Sequence, residues 1–356
     1  MASTSPQRWL VAGALLATSG ALAPFRRVSA SARSRVVAVS ARSEAALKEG
    51  IAAFYDESSG IWEDVWGEHM HHGWYEPGTK AGSLERDVEA QRTMIDKALE
   101  HCGADEVAAR CAREGRRMRI LDVGCGIGGS SRHMARKYAD ARATCVGLTL
   151  SPEQARRGNE LSKAAGLDVA LEAADATNTT FADGSFDLVW SMESGEHMPN
   201  KPKFVDELSR LCAPGGAVSL VTWCHRDLRP GQRLNAVERA VLGLINYCYY
   251  LPKWCSGGDY AALFAAKAGV CARSVLDWTP NIAPFWPAVA RSSLRWSSLK
   301  KLRKTGLKTI RGAVAILFMI LGYKIGTVKF VAIAASKDLA TADAPAPPYP
   351  SGGGVL

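Results

Sequence analysis

The chain has 356 residues, 47% hydrophobic and 22% charged, an ordinary globular composition with ample material for a core. Nine cysteines lie scattered without a Cys-x-x-Cys pair, which argues against a zinc site or a disulfide framework and for a reducing compartment. The formal net charge of +9 is uneven: residues 1–42 hold six arginines and no acid, residues 278–337 hold eleven Lys/Arg and no acid, and residues 43–277 are net −6.

The first 42 residues, rich in Ser, Ala and Arg, have the composition of an organellar transit peptide. A secretory signal is the alternative, but the apolar run at 9–16 is short and arginines continue beyond it. A helix is expected over 43–60, then a segment at 61–75 dense in Trp and His with no clean period. A second helix is expected over 83–102 with Ser83 as its N-cap. From Met118 strands (118–123, 143–148, 168–173, 185–191, 216–223) alternate with helices (130–139, 152–165, 201–212). Such alternation predicts an α/β fold, a doubly wound, mostly parallel seven-stranded sheet. Helices near 231–250 and 257–268, a strand at 271–278, an amphipathic basic helix over 288–322 and a last strand at 327–335 complete the chain. The tail 338–356, with its Pro, Ala and Gly, reads as disordered.

The chain is organised around Ile120-Leu121-Asp122-Val123-Gly124-Cys125-Gly126-Ile127-Gly128-Gly129, an apolar strand entering a glycine loop that opens a helix. Such a turn seats a nucleotide-like ligand. Gly-x-Gly-x-x-Gly alone suits a dinucleotide equally. Three features decide against one: Asp122 stands inside an apolar strand, the strand end Val146-Gly147-Leu148-Thr149-Leu150 lacks the acid that a ribose of NAD needs, and a second acid, Asp175, ends the third strand. An acid with no phosphate-binding lysine suits a cationic, phosphate-free cofactor, S-adenosylmethionine. With Ser185-Phe186-Asp187-Leu188-Val189 and Pro214-Gly215-Gly216, the landmarks of a class I methyltransferase stand in order.

Four stretches carry a more specific likeness: residues 55–73, residues 121–131, Gly147-Leu148-Thr149-Leu150-Ser151-Pro152, and Ser191-Met192-Glu193-Ser194-Gly195-Glu196-His197-Met198. In these the chain resembles the gamma-tocopherol C-methyltransferases of plants and algae, relatives of sterol and cyclopropane-type methyltransferases. The resemblance implies that Asp122, Gly124, Gly126 and Gly128 hold the methionyl end of the cofactor. It puts Thr149 and Leu150 at the ribose, with Gln154 a candidate for its hydroxyls, and Asp175 and Ala176 at the adenine. It also implies methylation of a chromanol ring carbon, gamma- to alpha- and delta- to beta-tocopherol, in a chloroplast.

Carbon attacks a methyl group only when the neighbouring phenol donates charge, so a base near the phenol is expected. The loop after the fourth strand faces the ligand in a doubly wound sheet and carries Glu193, Glu196 and His197. His197, which titrates near neutrality, is the first choice and Glu193 the second; a capping role for His197 is the plain alternative. His69, His71 and His72 invite a metal, but no Cys, Asp or Glu is spaced to complete a site, so none is expected. A lid built on Tyr55, Trp62, Trp66 and Trp74 competes with their being core aromatics. The domains expected are a plastid transit peptide (1–42), a lid segment (43–117) and a methyltransferase domain (118–337) with an acceptor-binding insert near 228–265. The basic C-terminal section suggests peripheral membrane contact and a lipophilic acceptor; its apolar run is too short to span, which takes about 20 residues. A core helix and a nucleic-acid contact are the rivals, the latter disfavoured by the acidic body. An alkaloid N-methyltransferase, a sterol or quinone methyltransferase and a binding protein without turnover are the other functional readings.

Overall fold

A computed structural model describes residues 43–79, 83–293 and 307–339; the expected transit peptide and most of the expected tail lie outside these residues. Seven strands form one sheet in the order β3-β2-β1-β4-β5-β7-β6. They are β1 (Arg119–Val123), β2 (Thr144–Thr149), β3 (Val169–Ala173), β4 (Phe186–Met192), β5 (Cys212–His225), β6 (Val270–Asp277) and β7 (Val328–Lys337). The first five pair in parallel, and β7 runs antiparallel between β5 and β6. The doubly wound reading of the sequence therefore holds, and connections reverse direction between β1 and β4, where such sheets bind ligands.

β1 and β4 are buried along their whole lengths, as central parallel strands covered on both faces must be. Successive side chains feed opposite faces. Ile120 packs with Met94, Leu99 and Met134, whereas Leu121 packs with Phe204, Leu208 and Phe264. The first face is covered by α2 (Leu84–Cys102), α3 (Ala104–Arg113) and α4 (Gly129–Lys137), the second by α6 (Lys201–Leu211) and α8 (Gly257–Ala265). Asp187 accepts from Arg119 N (2.9 Å) and Arg116 Nη1 (2.7 Å) at the start of β4, so this landmark acid is structural and far from the strand ends that bind ligand.

Helix starts follow side-chain capping. Ser83 and Asn200 accept from Arg86 N and Lys203 N, and Ser151, followed by Pro152, accepts from Gln154 N to begin α5 (Pro152–Ala164). The sequence reading stopped the first helix at residue 60, but α1 (Glu44–Trp66) runs on to Gly67, whose N–H closes on Glu63 O at 2.9 Å. Ser58-Ser59-Gly60 are weak helix formers, and tertiary ties override them: Asp56 accepts from Ser151 Oγ, and Glu63 pairs with Arg157. α3 went unforeseen because one left-handed residue, Gly103 (φ 73), separates it from α2.

Of the helix expected over 288–322, the described residues show α9 (Phe285–Ser293) and α10 (Leu307–Lys324), and 294–306 lie outside them. α7 (Ala236–Tyr249) and α10 pack together over the far rim of the sheet, where Val241, Ile245, Trp286, Met319 and Val328 form a third core. Asp338 N donates to Gly269 O, and the rest of the expected tail from residue 340 lies outside the described residues. Among the described residues no helix is long and apolar enough to cross a membrane.

Candidate active site

A cleft opens at the carboxyl ends of β1, β2 and β4, and it gathers most of the residues singled out from the sequence. Asp122, Gly124, Gly126, Thr149, Leu150, Gln154, Glu193 and His197 all line it. Asp122 is 2% exposed and takes a hydrogen bond from Ser131 Oγ at 2.6 Å. Burial pushes its carboxyl up to about 7, against the Ser131 bonds and the Arg132 charge. Among the described residues no ion pair to it forms, so the site itself asks for a cationic ligand.

The glycines divide by role. Gly124 (φ 80) turns so tightly against the loop after β4 that a Cβ would sit 2.2 Å from Ser194 Cβ. Gly128 does not line the cleft; it caps α4, and a Cβ there would meet Leu171 at 2.8 Å. Thr149 Oγ1 donates to Gln154 Oε1 at 2.6 Å, which orients the amide whose Nε2 reaches Met70 Sδ at 3.8 Å. Asp175 and Ala176 stand off the cleft wall. Burial opposes ionisation of Asp175, yet bonds from Lys48 Nζ (2.7 Å) and Thr177 outweigh it and hold the carboxyl below its usual range.

The segment expected to form a lid contributes to the cleft. α1 brings Ile51 and Ala52 to the cleft, and the loop after it brings Glu68, His69, Met70 and His71. Two buried polar groups pin that loop: Arg132 pairs with Glu68 at 2.7 Å, and Gln91 Nε2 donates to the carbonyls of His69 (3.0 Å) and His71 (2.8 Å). The side chains of Tyr55, Trp62 and Trp66 lie outside the described residues, and Trp74 packs in the core against Trp278. Among the described side chains of this segment, the His69 and His71 imidazoles face the cleft.

Glu193 holds a left-handed backbone (φ 52), a conformation costing a non-glycine residue about 1–3 kcal/mol. The surroundings that enforce it are specific. His72 N donates to Glu193 Oε1 at 2.5 Å and His72 Nδ1 to Oε2 at 2.7 Å. His72 is in turn boxed by Phe285, Phe330, Trp286 and Trp223, with ring centroids 4.0, 5.0, 5.1 and 5.9 Å away. His71 Nδ1–H donates to His72 O at 2.9 Å, which leaves Nε2 as the bare acceptor, buried without a hydrogen-bond partner. Burial, then the Lys201 charge, lowers His197 to about 3, so it is neutral. Glu196 does not face the cleft: Thr222 Oγ1 donates to it at 2.6 Å, and burial with the Glu193 charge raises it to about 8. The His69–His72 segment is only a fallback for the base in the sequence, because the partner of His72 lies far along the chain.

The description "Methyltransferase domain" fits residues 121–220. The chain is 47% identical to the "Tocopherol O-methyltransferase, chloroplastic" of Arabidopsis thaliana over 85% of this chain and 86% of that one. It belongs to the tocopherol methyltransferase family, within the S-adenosylmethionine-dependent class I enzymes. A rice protein (Oryza sativa subsp. japonica), "Probable tocopherol O-methyltransferase, chloroplastic", is 49% identical over 82% of this chain and 78% of its own. The fold is shared with geranyl diphosphate C-methyltransferase of Streptomyces coelicolor A3(2), solved with S-adenosyl-L-homocysteine (TM-score 0.61, 22% identity, 82% of this chain and 97% of that one). The family's cofactor fits what this cleft offers: a buried carboxylate without a counter-ion, loop glycines at its rim and the Thr149–Gln154 pair beside them.

Proposed function

We propose that the chain methylates tocopherols in a plastid at the ring carbon beside the phenolic hydroxyl, converting gamma- to alpha- and delta- to beta-tocopherol. The observation that carries this reading is the Glu193–His72 pair, with His71 beside it, in the wall of the cleft that holds Asp122. When bound, S-adenosylmethionine supplies an electrophilic methyl group; Asp122 and the glycine loop hold its cationic methionyl end. The chain's task is then to raise electron density on the acceptor ring.

Glu193 takes the phenolic proton, and the two bonds from His72 fix its carboxylate so that no reorganisation is needed at that moment. His71 Nε2, unprotonated and buried, accepts the ring hydrogen as the new carbon–carbon bond is completed, and Glu193 returns its proton to the oxygen. His197, first choice from the sequence, is lowered to about 3 by burial, as burial also lowers His71, and is read as wall. Met192, Met198 and Ile51 keep water from the reacting ring. Contact with the plastid membrane belongs to the same proposal. α10 exposes Val314, Leu317 and Leu321 at one-face spacing, and α7, packed on it, exposes Val237, Leu244 and Tyr247.

The test is transfer from labelled S-adenosylmethionine by the full chain to gamma-, delta- and beta-tocopherol, a plastoquinol precursor, a sterol and an indole alkaloid, with product NMR. Ring-methylated alpha- and beta-tocopherol are expected from the gamma and delta forms. The Arabidopsis and rice relatives are named O-methyltransferases; a methyl ether, or label only on another acceptor, would overturn the reading.

A further inference from the structure

Beyond the aromatic box of His72 lies a second cavity, of about 420 Å³, between the turn before α9 and the outer half of α10. That volume is within the range of ligand pockets, about 300–1,000 Å³. Its walls are mainly apolar: Ile282, Ala283, Trp286 and Pro287 on one side, Ile320 and Tyr323 on the other. One ring links it to the catalytic cleft, because Trp286 lines the cavity and also packs 5.1 Å from His72, the residue that grips Glu193. At this junction the Trp286 indole and the Tyr323 hydroxyl are buried and interact with each other, and the Trp223 indole N–H is buried beside them. The outer end differs. Ile320 is 37% exposed and adjoins the exposed Leu317 and Leu321, while Lys329 pairs with Asp277 at 2.8 Å on the rim. The cavity thus lies between the Trp286 wall of the His72 box and a greasy surface.

We propose that this groove is the acceptor's tail site: it receives a long hydrocarbon chain behind Trp286, with the chromanol ring on the Glu193 side of that indole. The assignment rests on the lipophilic acceptor proposed above, but it adds a site of its own. Selection among acceptors then comes from two places. The cleft reads the phenol, and the groove reads the chain.

Ala283 is exposed on the groove wall, so Ala283→Trp fills the groove without disturbing a core. The full-length variant should lose about tenfold or more in kcat/KM toward gamma-tocopherol, since several methylenes lose their burial. Toward the same chromanol carrying a methyl group in place of the tail it should stay within about twofold. Equal losses on both acceptors, or none on either, would overturn the tail site. A second measurement needs no turnover. A chromanol with a diazirine at the end of its tail is photolysed with the wild-type chain, and the labelled peptides are sequenced. Label should fall in peptides containing Ile282–Pro287 or Ile320–Lys324; label confined elsewhere overturns the proposal. Labelling there without methylation of any tocopherol would sink the proposed activity and leave the groove standing.

Discussion

The two sides of the cleft are built by opposite means. On the cofactor side, Asp122 near the end of β1, Thr149 at the end of β2 and Met192 at the end of β4 are brought together by neighbouring parallel strands. Loop backbone and one carboxylate do the recognition. On the acceptor side, His71 and His72 come from the loop after α1, Glu193 from the loop after β4, Trp286 from α9 and Tyr323 from α10. Nothing but side-chain contact joins these. Cofactor recognition is therefore positional, a property of the sheet, whereas acceptor chemistry depends on a few long-range contacts that single substitutions can remove.

The comparison is sharpest if each half can be damaged alone, and the largest effect is expected at Glu193. Glu193→Gln keeps the shape and removes the base, so turnover should fall by about 10²–10⁴-fold. S-adenosylhomocysteine affinity, measured by calorimetry, should stay within about twofold, because the cofactor side is untouched. In the same assay His197→Ala should lose about tenfold, the effect of altering a neutral wall rather than a base. Equal losses for the two variants would return His197 to first place. A collapse of cofactor affinity in Glu193→Gln would break the separation of the halves.

The same asymmetry explains what could be seen in the sequence. Ile120-Leu121-Asp122 followed by glycines is legible because strand, turn and helix start are local, and Asp122 stands out as a charge in an apolar strand. Ser151-Pro152 likewise announces α5. The Glu193–His72 pair spans 121 positions and Lys48–Asp175 spans 127, so no window of sequence holds either. Lys48 is also why Asp175 turned out to be occupied by the chain itself. His197 illustrates a related point: its residue type suggests titration near neutrality, but burial sets the proton affinity, and burial is a property of the fold. The glycine at 128 reads as ligand-binding in the motif, yet its hydrogen at Cα is needed for Leu171 to pack.

A smaller effect is expected when the cofactor half is damaged. Asp122→Asn removes the buried carboxylate proposed for the methionyl end, and a hydrogen bond to a charged group is worth about 1.5–3 kcal/mol. At pH 8 the dissociation constant for S-adenosylhomocysteine should rise by about ten- to a hundredfold. The KM for the acceptor should hardly move, since none of the acceptor-side groups touches Asp122. A large change in acceptor KM with intact cofactor binding would invert the assignment of the two halves.

The smallest effect follows from the proton on Asp122. With its carboxyl raised to about 7, the group is largely neutral at pH 6 and largely ionised at pH 8. A cationic ligand prefers the ionised form, so cofactor affinity in the wild type should strengthen by about tenfold from pH 6 to pH 8. Asp122→Asn should flatten that slope. Stability of the free protein runs the other way. Carboxyls with raised folded values, Asp122 at about 7 and Glu196 at about 8, contribute stability that is complete below their unfolded values and is lost as pH rises through the folded ones. Buried histidines lowered to about 2 and about 3, His69 and His197, do the reverse and add stability as pH climbs toward 6.5. Thermal midpoints of the ligand-free chain should therefore peak near pH 6.5 and decline toward pH 8. Since the ligand draws Asp122 into its ionised form, the shift in midpoint on adding S-adenosylhomocysteine should be larger at pH 8 than at pH 6. A shift that is the same at both would mean that Asp122 is already ionised in the free cleft, and that the lone buried charge has a counter-ion after all.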